Sequence, residues 1–133
     1  MKLLSGACCL PHQEKKDTGG EDAHSICADE QAIGVADGVG GWAQMSVNAG
    51  SYARELMSHS VAVIREGPRG SINLVRVLDK AYLSTKSKGS STICILALSD
   101  QGLHAVNLRD KWIPCMTFLS EVLLWACTLS AIA

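Results

Sequence analysis

Apolar and polar positions along this chain change their period twice. Ser25 to Ala28 and Gln31 to Ala36 have strand-like composition, and Asp29-Glu30 breaks the run between them. A two-residue hairpin turn there pairs Ala28 with Gln31 and Ile26 with Ile33. Beyond Trp42 the period lengthens. Val47, Tyr52, Leu56, Met57, Val61 and Ile64 recur at helical spacing and predict one apolar helix face, which Gly67-Pro68 terminates. A second helix follows, with Leu74, Val77, Leu78, Ala81, Tyr82 and Thr85 on one side and Ser71 or Asn73 as its cap. Lys88-Gly89-Ser90-Ser91 reads as a turn. Thr92 to Leu98 is then almost continuously apolar, the pattern of a strand covered on both faces. Ser99 to Gly102 turns the chain, and Leu103 to Leu108 is the hairpin partner. Strands packed both against another sheet and under helices suit an α+β sandwich.

The first hairpin, counted outward, sets Asp22 opposite Asp37. Directly opposed side chains on paired strands lie about 4.5 to 5.5 Å apart at Cβ, so two like charges there repel. A divalent cation between them removes that cost. Carboxylate, backbone carbonyl and water are the ligand set of Mg²⁺ or Mn²⁺. Glu21 adds an acid beside Asp22, and Gly38, Gly40 and Gly41 follow Asp37 closely. Glycine lets the backbone turn sharply, so a carbonyl such as that of Gly38 can face a metal. Two readings stand at this point. One is a metal-binding sheet edge. The other is an acidic hairpin end with a glycine turn, solvated and inert, because acids and glycines are enriched in turns. A register shift of one residue would send Asp37 to the opposite face.

Composition narrows the function classes. The chain has 133 residues, enough for one domain with a modest core. A net charge of −1 and a pI near 6.4 imply no strong field for nucleic acid or an anionic membrane. Lys15-Lys16 reads as a solvated loop rather than a binding patch. Cys8, Cys9, Cys27, Cys94, Cys115 and Cys127 form no CxxC pair and no zinc spacing, and adjacent Cys8 and Cys9 make a poor disulfide framework. A reduced, intracellular compartment is the expectation. MKLLSGACCLPH lacks the features of a signal peptide: its apolar run is short and stops at Pro11. His12, His24, His59 and His104 show no mutual ligand spacing. His24, close to Asp22, either contacts the site or is a surface histidine. Ser90, Ser91 and Thr92 have no paired base and read as turn and strand-start residues.

GGEDAH (19–24), VADGVGGW (35–42), NAGSYARELM (48–57), KGSSTICILAL (88–98) and GLHAVNL (102–108), in that order, resemble the metal-dependent protein phosphatases of the 2C type, the PPM family. The likeness is greatest to the plant branch related to organellar phosphatases, and it runs from Lys2 to about Asp110. It implies a partial four-layer αββα sandwich and hydrolysis of phosphoserine or phosphothreonine in a phosphoprotein substrate. It also implies two divalent metals, Mg²⁺ or Mn²⁺, that hold a hydroxide and the phosphoryl oxygens, with no enzyme-bound phosphate. By this resemblance Asp37 bridges both metals and is the catalytic residue. The carbonyl of Gly38 ligates one metal, and Glu21 and Asp22 hold metal-bound waters. The N-terminal segment matches the family's first strand. Relatives usually carry a targeting extension before it, for chloroplast or mitochondrion, and no targeting segment is readable in this chain. Two departures stand out. Val39 occupies the place of a histidine that protonates the leaving group in many relatives. The family's phosphate-binding arginine, expected a few residues before Glu21, has no match, Asp17 standing nearest.

Composition shifts at Lys111. Of 12 Lys or Arg and 13 Asp or Glu, Glu121 alone lies beyond it, while Trp112, Phe118 and Trp125 are half of the aromatic residues. The resemblance ends here too. Relatives continue with a glycine-aspartate-serine turn, and this chain has Arg109-Asp110-Lys111. The expected division is residues 1–110 as the N-terminal part of a phosphatase domain and 111–133 as a divergent apolar tail, the product of truncation, alternative splicing or a faulty gene model. The tail (112–133) reads either as a helix folded onto exposed core or as a membrane contact long enough to approach a span. Glu121 near its middle opposes the second reading by roughly 2.5 to 3.5 kcal/mol. Later aspartates that complete the metal set are missing, so the alternative to an active phosphatase is a catalytically inactive fragment.

Overall fold

A computed structural model describes residues 2–39, 48–109, 111–112 and 116–118. Gly40, Gly41, Trp42 and Val47, and Pro114, Cys115, Glu121, Trp125 and Cys127 of the tail, lie outside the described residues. The strands are β1 (Asp22–Cys27), β2 (Ala32–Gly38), β3 (Ser91–Ser99), β4 (Gly102–Arg109), β5 (Lys111–Trp112) and β6 (Met116–Phe118). They form one antiparallel sheet in the order β1-β2-β3-β4, with β5 and β6 both paired to β4. Helices α1 (Ala49–Glu66) and α2 (Leu74–Ser84) pack together over one face of it.

Sequence and register agree closely at the first hairpin. The N–H of Gln31 donates to the Ala28 carbonyl at 3.3 Å and closes the turn around Asp29-Glu30. Gln31 itself takes a left-handed φ of 55°, uncommon for a residue with a side chain. Ile26 then faces Ile33, and Asp22 faces Asp37, as the outward count requires.

Alternation along β2 decides where the core sits. Ala32, Gly34, Ala36 and Gly38 are buried and stand beside Ala97, Ile95, Ile93 and Ser91 of β3. Small residues on β2 admit α1 closely: a Cβ on Gly34 would lie 3.1 Å from the Met57 sulfur. Ala53, Leu56, Met57, Ser60 and Ile64 of α1 are buried against this face, as are Leu74, Val77, Leu78 and Ala81 of α2. Both helices begin on asparagine. Asn48 accepts the Ser51 N–H at 3.1 Å and Asn73 the Arg76 N–H at 3.0 Å, each satisfying a donor that a helix start leaves orphaned.

Four expectations are corrected. Strand β3 is central, but Cys94 and Leu96 are only half-buried while Ile93 and Ile95 are buried, because among the described residues helices cover one face alone. Tyr82 is 60% exposed: it lies one turn past Leu78, itself at the margin of the buried stripe. Residues 2–10 form no strand. They pair with no ladder, and the Leu3 N–H instead meets Gln31 Oε1 at 2.7 Å. Lys111–Trp112 and Met116–Phe118 are short strands rather than the start of a helix, since β4 offers them a free edge to pair with. Among the described residues no helix is long and apolar enough to cross a membrane.

Candidate functional site

Asp22 opens β1, and Asp37 stands one residue before the end of β2, directly opposite it. Their neighbour Ala36 is buried on the helix side, so strand alternation sends both carboxyls to the other face. The Asp37 carboxyl is pushed above the usual carboxylate range. Lost hydration is the largest cause; the charge of Asp22, a hydrogen bond between the two carboxyls and the charge of Glu21 add to it, and the Lys15 ammonium pulls the other way. Asp37 keeps open surface, so the hydration it loses is on its protein side only.

The backbone around Asp37 is fixed from β3. Ser91 Oγ donates to the Asp37 carbonyl at 2.9 Å, with the Thr92 carbonyl also in reach at 2.7 Å. Thr92 stands beside Asp37 in the ladder, and the Val39 N–H donates to the Ser90 carbonyl at 3.0 Å. Gly38 is needed for space rather than for a turn, which corrects the expectation. It is not among the residues of positive φ. A Cβ there would lie 2.6 Å from the Ala49 carbonyl oxygen and 2.8 Å from that of Glu21, both backbone atoms. Its N–H donates to the Glu21 carbonyl at 3.0 Å.

Glu21 reaches outward to Lys15, whose Nζ lies 2.5 Å from Glu21 Oε2. Lys15 belongs to a 3₁₀ helix, Gln13–Thr18, and is therefore not the solvated loop lysine expected from its neighbourhood. Nearby, Arg54 of α1 donates to the Gly20 carbonyl at 3.2 Å. His24 lies two residues along the same face as Asp22, exposed and opposite Val35.

These donors are hard oxygens, which suits a hard divalent cation. Two carboxyls whose like charges crowd each other are a arrangement that a cation would relieve. Their number is smaller than a full coordination sphere. Among the described residues no group of three or more His, Cys, Asp or Glu side chains converges as a metal would require. The site residues thus fit a divalent cation in kind and would supply part of its ligand set.

Besides Lys15, two further contributors were missed from sequence. Ser91 looked like a strand start, and its role depends on a contact across 54 positions. Glu55 of α1 accepts the N–H groups of Lys86 and Ser87 at 2.9 and 3.0 Å, and the Ser87 hydroxyl as well, pinning the loop that leads into β3. These bonds, the Ser87 hydroxyl first, hold the Glu55 carboxyl down at about 2. A glutamate on an amphipathic helix gives no signal of such a partner.

The layering of helices on one antiparallel sheet defines a class of fold. In the solved structure of the photosystem II phosphatase PBCP, 40% of that chain matches 76% of this one, with a TM-score of 0.65 and 36% identity, and the fold here is that α+β phosphatase fold in part. The relatives make the family specific. The chain is 64% identical over 111 residues to probable protein phosphatase 2C 55 and 63% identical over 112 residues to probable protein phosphatase 2C 80, both of Arabidopsis thaliana, in each case over 84% of its length. Protein phosphatase PTC7 homolog fig of Drosophila virilis is 39% identical over 102 residues. Over most of its length the chain is a homologue of the protein phosphatase 2C family. It spans 24% and 27% of the lengths of the two Arabidopsis relatives. No protein-family model matches it.

Proposed function

We propose that this chain carries one side of the two-metal centre of a protein serine/threonine phosphatase. The observation that supports the reading best is the direct opposition of Asp22 and Asp37 in a chain 64% identical to a protein phosphatase 2C. Asp37 and the Gly38 carbonyl would hold Mg²⁺ or Mn²⁺, with Asp22 and Glu21 holding its water. A bound metal pair supplies charge neutralisation at the phosphoryl oxygens and a water acidic enough to attack at neutral pH. The chain's own residues prepare the position. Ser91 fixes the Asp37 backbone, Gly38 lets the end of β2 pass beneath α1, and Lys15 balances the acids. The substrate class, a phosphoprotein, is carried over from the relatives.

A second reading is favoured by the absence, among the described residues, of three or more converging ligands: the 133-residue chain binds metal weakly and hydrolyses little or nothing. Mg²⁺ demands near-octahedral geometry, and two carboxylates leave most positions to water. A phosphopeptide assay over a Mn²⁺ titration separates the two. The expected result is little turnover by this chain and clear turnover by a version extended with the remainder of a relative's domain, abolished by Asp37→Asn. Robust turnover by the 133-residue chain, lost in Asp37→Asn, would show that the early ligands suffice. Turnover by the extended version that survives Asp37→Asn would remove Asp37 from the chemistry.

A further inference from the structure

The 3₁₀ helix Gln13–Thr18 buries no side chain, so hydrophobic packing does not explain why it forms. Its backbone bonds converge on Lys15. The Lys15 N–H donates to the His12 carbonyl at 2.9 Å, and its carbonyl accepts the Gly20 N–H at 3.1 Å and Thr18 Oγ1 at 3.0 Å. Gly19 and Gly20 close the helix with φ of 76° and 79°, a conformation that favours glycine. Among the described residues Lys15 is the only lysine or arginine in an ion pair. Its side chain is 45% exposed and that of Glu21 23%. A pair this open adds little to stability, so the device that aims it calls for another purpose.

We propose that Lys15 is a positioning residue of the acid cluster: its ammonium holds the Glu21 carboxylate and acts as a built-in counter-ion that weakens the pull of Asp22 and Asp37 on a divalent cation. The inference rests on the reading that this pair holds a metal. Lys15 stands in for part of the missing positive charge while the metal is away, and an arriving cation binds against its repulsion. The sign separates this role from a structural one. If Lys15 merely kept Glu21 in place, its loss would weaken metal binding. As a counter-ion, its loss strengthens it. For a divalent ion and an ammonium roughly 6 Å apart in a water-like dielectric, the effect is about tenfold at most, and salt reduces it.

The test is a Mn²⁺ titration of the full chain at low ionic strength, with free Mn²⁺ read by electron paramagnetic resonance. Lys15→Met should bind Mn²⁺ about three- to tenfold more tightly than wild type, with the gain shrinking as salt is raised, and Lys15→Arg should bind as wild type does. Circular dichroism checks that each variant is folded; the surface position of Lys15 gives no reason for unfolding. Unchanged or weaker binding in Lys15→Met, with Asp37→Asn still losing the ion, overturns the Lys15 role alone. Equal binding by wild type and Asp37→Asn overturns the metal reading and the Lys15 role with it.

Discussion

The helix side of the sheet and the side that carries Asp22 and Asp37 are made from alternate residues of the same strands, yet different forces order them. On the helix side, Ala36, Ile93, Ile95 and Ala97 are at most 3% exposed, and the arrangement follows from apolar area removed from water. On the other side, Asp22, Val35 and Cys94 are half-buried and His24 and Asp37 exposed. There, position comes from hydrogen bonds and charge: Ser91 on the Asp37 backbone, Lys15 on Glu21. One side accounts for folding, and the proposed chemistry lies on the other. Substitutions on the two should therefore separate a loss of stability from a change in charge behaviour.

The sharpest way to break this contrast is a pair of truncations one residue apart. Ile95→Ala on the helix side should cost about 2 to 5 kcal/mol, the range for a buried isoleucine, enough to threaten a domain of this size. Leu96→Ala, half-buried on the other side, should cost less than half as much. Urea denaturation followed by circular dichroism measures both, and equal costs would mean that the faces are not distinct.

Next in size is Gly38→Ala. The new methyl would meet two backbone carbonyls, neither of which can rotate away, so a loss of roughly 1 to 3 kcal/mol is expected. Gly34→Ala meets the end of the flexible Met57 side chain and the Ser25 hydroxyl instead and should cost less. The same denaturation series compares them, and the reverse order would contradict the packing account of Gly38.

Asp37→Asn should act through charge. The folded carboxyl titrates above its ordinary range, so wild type loses stability as pH rises through that raised value and regains it as pH falls back. In buffer freed of metal by a chelator, the asparagine variant should be slightly more stable at pH 7 and should lack that slope. Thermal unfolding between pH 3 and 8 reads the difference.

Glu55→Gln should show the opposite sign and the smallest effect. Its carboxyl is held at about 2, below the ordinary 4.5, so its contribution is present above the ordinary value and lost as pH falls toward 2. The variant should melt below wild type at neutral pH, and the gap should close in acid. A constant gap would mean that the bonds to Lys86 and Ser87 do not depend on the charge.

How far each side could be read from sequence follows the same division. The pairing of Asp22 with Asp37 was legible because period-two alternation and the Asp29-Glu30 turn fix a register locally. Both helices were legible from their spacing, with Asn73 among the expected caps and Gly67 closing α1. The half-burial of Cys94 and Leu96 was not, because a continuous apolar run suggests cover on both faces without saying what provides it. Lys15 was not legible either. Its reach to Glu21 depends on two left-handed glycines, and adjacent lysines ordinarily signal a solvated surface. The need for glycine at position 38 was misassigned to a sharp turn, since the closeness of Ala49 follows only from how α1 lies on the sheet.

A divalent cation between Asp22 and Asp37 would be located directly by paramagnetic broadening. In ¹H–¹⁵N spectra of the chain titrated with Mn²⁺, signal should be lost early from Glu21, Asp22, Asp37, Gly38 and Thr92, with β4 and the α2 amides sharp and the effect gone in Asp37→Asn. Broadening that begins elsewhere, or that persists unchanged in Asp37→Asn, would contradict that placement.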